Sequence, residues 1–74
     1  MRILLIEDDK DISRSLSLAL KNEGYAVDSA EDGERGYFLA GTNDYDLLIV
    51  DYNLPKMNGR QIIETLRKEK ELLP

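Results

Sequence analysis

Two apolar runs in this chain end abruptly in acids, and those acids are its best candidates for chemistry. Ile3-Leu4-Leu5-Ile6 leads straight into Glu7-Asp8-Asp9, and Leu47-Leu48-Ile49-Val50 leads straight into Asp51. A continuous apolar run of this length fits a strand buried on both faces of a parallel sheet. Two such strands in one parallel sheet point the same way, so their terminal acids emerge together at the carboxyl edge, where open α/β folds bind ligands. Neighbouring strands lie about 4.8 Å apart. Glu7, Asp8 and Asp51 then converge, and two carboxylates about 4 Å apart repel by roughly 4 kcal/mol at an effective dielectric near 20. A divalent cation removes that cost. The chain has no cysteine and no histidine, so only oxygen donors remain. Mg2+ suits them best, because it takes one or two carboxylates together with substrate phosphate, and Mn2+ can substitute. Beside such a cation, Asp51 can accept a phosphoryl group.

Each cluster alone has a plainer explanation. Glu7-Asp8-Asp9 could be a solvated acidic helix start, favoured by the macrodipole, and Asp51 could be a turn residue. The repetition of buried strand then acid is what favours a site. Asp9 and Asp11 fit the helix-start role and are left out of it.

The elements that must position these acids can be read in turn. Ile12, Leu16, Ala19 and Leu20 recur with helical spacing, and Gly24 follows where a left-handed cap is wanted. Tyr25-Ala26-Val27 makes a short second strand, and Asp32-Gly33 turns into a weaker helix carrying Tyr37, Leu39 and Ala40. Tyr25 and Tyr37 are expected in the core. Leu54-Pro55-Lys56-Met57-Asn58-Gly59 reads as a turn-rich loop, and Ile62, Ile63 and Leu66 mark a third helix running to about Glu69. The order βαβαβα predicts a parallel sheet with right-handed crossovers, and the strand order 2-1-3 of flavodoxin-like folds places strands one and three side by side.

Composition narrows the rest. A chain of 74 residues holds one small domain, and 42% apolar with 34% charged residues describes a folding sequence. Ten basic against fifteen acidic residues leave a net charge of -5, which disfavours a nucleic-acid backbone. No apolar run approaches a membrane span or a signal-peptide core, so a cytoplasmic location and no membrane contact are expected.

At these residues the chain resembles the receiver domain of two-component response regulators. The resemblance rests on Ile3 to Asp9, Gly24-Tyr25, Asp32-Gly33 and Asp46 to Gly59, and it is closest to the winged-helix transcription-factor branch. It implies a flavodoxin-like (CheY-like) α/β fold, truncated here to βαβαβα, with residues 1–74 forming the N-terminal part of a receiver domain. It also implies that Asp51 is the phosphoacceptor, taking its phosphoryl group from the phosphohistidine of a sensor histidine kinase. Asp8 and Asp51 would hold Mg2+ directly, Glu7 would act through water, and Asn53 would supply its backbone carbonyl. DNA would be bound only through a C-terminal domain outside this chain.

Family members continue with a strand ending in Thr or Ser and a later one ending in Lys. Neither position occurs here, so acceptor chemistry is expected to outlast the conformational switch. Strand three would be left with an open apolar edge, so a homodimer is expected. Rival readings fit less well. A phosphohydrolase of the haloacid dehalogenase type needs an acid where Asn53 stands, and a calcium loop starting at Asp51 meets Lys56 and Ile62 where Gly and Glu are required. An assembly module with idle acids remains the non-catalytic alternative.

Overall fold

A computed structural model describes residues 1–51 and 58–71. Its elements follow the order β1 (Arg2–Ile6), α1 (Lys10–Asn22), β2 (Ala26–Ala30), α2 (Gly33–Thr42), β3 (Leu47–Val50) and α3 (Gly59–Glu71). The three strands form one parallel sheet in the order β2-β1-β3, as the acid-tipped strands required. The central strand is the most buried one, since both its faces and both its edges are covered. Ile3, Leu4, Leu5 and Ile6 are all buried.

Side chains alternate across β1. Leu4 and Ile6 join Ala30 and Ile62 in the core on the α2 and α3 side, with Leu39, Ala40, Tyr45, Leu48, Val50 and Leu66 packed around them. Leu5 lies level with Ser29, whose hydroxyl meets that of Ser17 on α1 at 3.2 Å, so α1 covers the opposite face.

Local chemistry sets the helix ends. Asp9 caps α1 by accepting from the backbone N–H groups of Asp11 and Ile12, and Asp32 caps α2 by accepting from Arg35. At the far end of α1 the N–H of Tyr25 donates to Leu20 and that of Gly24 to Lys21, a Schellman closure. It needs a left-handed residue, and Gly24 has φ +91°. Asn58 and Gln61 exchange side-chain-to-backbone hydrogen bonds of 2.9 and 3.1 Å, a capping box that starts α3. The Asn-Gly step therefore serves helix initiation more than the turn chemistry expected of it.

β2 runs three residues further than the sequence suggested, two of them polar. Asp28 is held there by Arg2 at 2.9 Å and by the Tyr45 hydroxyl at 2.7 Å, while Ser29 pairs with Ser17. Those partners make a polar strand end tolerable. Tyr25, expected in the core, lies exposed just before this strand, and Tyr37 is half-buried. The expected loop from Leu54 to Met57 and the tail Leu72-Leu73-Pro74 lie outside the described residues.

Close approach of α2 to β1 depends on Gly36. A Cβ built there would fall 2.8 Å from Ile6 Cγ1 and 2.9 Å from Cγ2, whereas Gly41 has no neighbour within 4 Å. Alanine gains up to about 1 kcal/mol in helix propensity at either position. Overpacking against an enclosed side chain costs about 1–3 kcal/mol, and Ile6 is fully buried. Gly36→Ala should therefore lower the urea midpoint while Gly41→Ala leaves it unchanged or raises it. Equal effects would show that Ile6 does not limit the approach.

Candidate metal and phosphoacceptor site

Glu7 and Asp51 extend their strands by one residue past the paired region. β1 and β3 align Ile6 with Val50, the Asp51 N–H donates to the Ile6 carbonyl at 2.9 Å, and the Glu7 N–H donates to Ala30 at 3.1 Å. The ladder thus continues to the point where the side chains turn acidic. Glu7, Asp8 and Asp51 each offer a carboxylate oxygen, and these atoms lie within 4.8 Å of one another. Glu7 and Asp51 are half-buried at the sheet edge and Asp8 is exposed. Asp9, one residue further, turns away to cap α1 and also donates its N–H to the Glu7 carboxylate at 3.2 Å. Asn53, expected to offer its backbone carbonyl, lies outside the described residues.

The electrostatics follow from this packing. Burial raises the pKa of Glu7 above the usual carboxylate value, and the charges of Asp51 and Asp8 push the same way, partly opposed by the Asp9 N–H. A proton or a cation at this edge relieves the same repulsion. The donor set is entirely hard oxygen, with two half-buried carboxylates and one exposed, which suits Mg2+ with part of its water shell retained.

Sequence reasoning missed a second polar cluster, at the opposite edge of the sheet. Arg2 pairs with Asp28, its guanidinium stands 5.0 Å from the centre of the Tyr45 ring, and its backbone N–H donates to Asp46 at 2.7 Å. Hydrogen bonds from Tyr45 and Arg2 hold Asp28 below its ordinary pKa. No local spacing could have revealed it, because Arg2, Asp28 and Tyr45 come from three separate segments.

Comparison with known proteins agrees with this geometry. The profile of the response regulator receiver domain matches residues 3–74. The cell cycle response regulator CtrA of Brucella ovis and of Brucella abortus is 45% identical over 74 residues, all of this chain and 32% of the relative. The chain therefore spans about a third of the length of these curated relatives. The Francisella response regulator 1452 receiver domain superposes with a TM-score of 0.91 at 30% identity, covering 93% of this chain and 57% of that one. Thermotoga maritima TrrA, solved in complex with Mg2+ and BeF, gives 0.89 at 36% identity, covering 95% and 61%. TrrA in its complex with the histidine kinase ThkA gives 0.87 at 35% identity, covering 96% and 61%.

If the three acids share one cation, Asp8→Asn should weaken Mg2+ binding at least tenfold, read by NMR or fluorescence titration. Binding should also weaken as pH falls toward the raised pKa of Glu7, because a proton held there must leave before the cation enters. Equal affinity in the variant would remove Asp8 from the site, and a flat pH profile would remove Glu7.

Proposed function

The chain belongs to the response regulator receiver domain family, and from that membership we propose that Asp51 is its phosphoacceptor, served by a sensor histidine kinase. The observation that carries this reading is the convergence of Glu7, Asp8 and Asp51 within 4.8 Å at the carboxyl edge of the sheet. An Asp51 carboxylate oxygen attacks the phosphorus of a phosphohistidine. The new O–P bond forms as the P–N bond breaks, and the departing imidazole takes up a proton. Asp8 and Asp51 would hold Mg2+ directly and Glu7 through water, with the Asn53 backbone carbonyl as a further ligand, and Mn2+ could replace it. When bound, the cation offsets the carboxylate charge and that of the incoming phosphoryl group.

The chain itself positions the acceptor. β3 delivers Asp51 at a fixed height, β1 delivers its acidic neighbours, and the Asp9 cap turns the backbone away so that the edge stays open. Such a module passes a phosphoryl group along a relay and is not an enzyme in its own right. Its relatives named CtrA are cell cycle response regulators; on our reading the module serves a cytoplasmic regulator of transcription, whose DNA contact would come from a further C-terminal domain. No helix among the described residues is long and apolar enough to cross a membrane.

Acetyl phosphate with Mg2+ should label the intact protein at Asp51 with an alkali-labile modification, detected by mass spectrometry. Asp51→Asn should abolish it. Labelling that persists in the variant would refute the assignment.

A second observation favours self-association. β3 pairs with β1 alone among the described strands, and Leu47 on it is 44% exposed. On the flank of α1 that faces away from β2, Asp11, Ile12, Ser15, Leu16 and Ala19 line an open, mostly apolar groove. An open strand edge beside an apolar face is a pairing surface, and a homodimer extending the sheet across β3 would cover it. Light scattering of this chain at micromolar concentration should report a dimer, dispersed by Leu47→Lys with the helical circular dichroism retained. A monomer would end the dimer reading and leave the phosphoacceptor assignment intact.

A further inference from the structure

The height at which β3 presents Asp51 is not set by the apolar residues of that strand. Leu47, Leu48, Ile49 and Val50 are apolar on both faces. A one-residue slip against β1 would exchange Leu48 and Val50 for Leu47 and Ile49 on the core face, apolar for apolar. For Asp51 the same slip is decisive. It moves the residue about 3.3 Å along the sheet and turns its side chain to the other face. Two oxygens bound directly to one Mg2+ ion stand at most about 4.2 Å apart, twice a Mg–O distance of about 2.1 Å. A shift of that size removes Asp51 from a shared ion.

Register must therefore come from the ends of β3. For the strand to slide back, Asp51 would have to come level with buried Ile6, which its charge opposes. At the amino edge a polar clamp opposes both directions. Asp46 accepts the Arg2 N–H on its carboxylate at 2.7 Å and donates its own N–H to the Arg2 carbonyl at 2.8 Å. One residue thus holds both backbone groups of Arg2. A slip of one puts Leu47 or Tyr45 there, and neither carries a carboxylate. A slip of two would offer Asp44 to Arg2 but carry Asp46 alongside buried Leu4. A second tie runs diagonally. Tyr45 precedes β3, yet its hydroxyl donates at 2.7 Å to Asp28, which is level with Leu4 on the far strand β2. This brace crosses the central strand, where the Arg2 guanidinium stands 5.0 Å from the centre of the Tyr45 ring and meets Asp28 at 2.9 Å. Slip is a shear of the sheet, and it changes the length of a diagonal brace directly.

We propose that Tyr45 and Asp46 are positioning residues for Asp51, acting from the opposite edge of the sheet by fixing the register of β3 on β1. This role rests on the reading of Glu7, Asp8 and Asp51 as a cation site, although register itself can be measured without an ion. The Arg2 and Asp28 side chains are 45% and 41% exposed, so their ion pair adds little to stability. What it supplies is placement, because it holds Asp28 where the Tyr45 hydroxyl reaches it. Repulsion among the three carboxylates acts to drive Asp51 away from Glu7 and Asp8, and the clamp and the brace carry the opposing load.

Asp46→Leu removes the acceptor and lengthens the apolar run, whereas Asp46→Asn keeps an acceptor oxygen. Tyr45→Phe removes the brace at constant shape. The readout is amide hydrogen exchange by NMR at two neighbouring positions of the same edge. The Asp51 N–H donates to Ile6 and reports β3, while the Glu7 N–H donates to Ala30 and reports β2. In Asp46→Leu with Tyr45→Phe, protection of Asp51 should fall at least tenfold relative to that of Glu7, and Mg2+ affinity should fall at least tenfold with it. Asn in place of Leu at position 46 should restore both. Each single variant should show the same selective loss at about threefold, so the comparison stands even if the double variant unfolds. Equal loss at Glu7 and Asp51 would mean general destabilisation and overturn the positioning role, as would unchanged Asp51 protection in the single variants. An unsubstituted protein that does not bind Mg2+ would overturn the cation site, while selective loss at Asp51 would still establish the control of register.

Discussion

The in-register parallel pairing of β1 with β3 forces Glu7 and Asp51 to the same height at one edge of the sheet, and the acidic site depends on that constraint. Parallel strands cannot place their ends apart once the ladder is set. With Ile6 level with Val50, the residues that follow are neighbours whatever their charge. Hydrophobic burial of Ile3 to Ile6 thus holds together carboxylates that would otherwise separate. The core supplies the force that the site works against, and a bound cation or a proton relieves it.

That force has to pass through tight packing to be useful. Ile6 is the last apolar residue before Glu7, and the helix above it comes close only because Gly36 has no side chain. Any change that pushes Ile6 aside moves the backbone that carries Glu7 and the carbonyl that receives the Asp51 N–H. Packing and site geometry are therefore one problem at this position, although Gly36 contributes no chemistry of its own.

How much of this was legible in the sequence follows from where the determinants lie. β1 and β3 were readable because a run buried on both faces needs no knowledge of its partners, and their terminal acids marked the site. Requiring those acids to meet makes strands one and three neighbours, and the flavodoxin-like order 2-1-3 satisfies it. The far half of β2 was not readable. Asp28 and Ser29 look like turn residues until Arg2, Tyr45 and Ser17 are brought to them from other segments. Tyr25 looked like a core residue by type, but it sits just before an edge strand. Asn58 looked like a turn residue because Asn-Gly is a common turn pair. The signal that could have corrected this is Gln61, three residues on, which completes the capping box.

The two ends of the sheet respond to protons in opposite senses, and this follows from how each carboxylate is satisfied. Asp28, held down by Tyr45 and Arg2, contributes stability that is present above its unfolded pKa and lost as pH falls through its lowered folded value. Glu7 has its pKa raised, so the native state binds its proton more tightly than the unfolded chain does. Its ionisation therefore costs stability as pH rises through the raised value. At the amino edge Asp28 is satisfied by Arg2 and the Tyr45 hydroxyl, whereas at the carboxyl edge Glu7, Asp8 and Asp51 crowd one another. The amino edge is thus a structural cluster, and the carboxyl edge is where a cation would relieve repulsion.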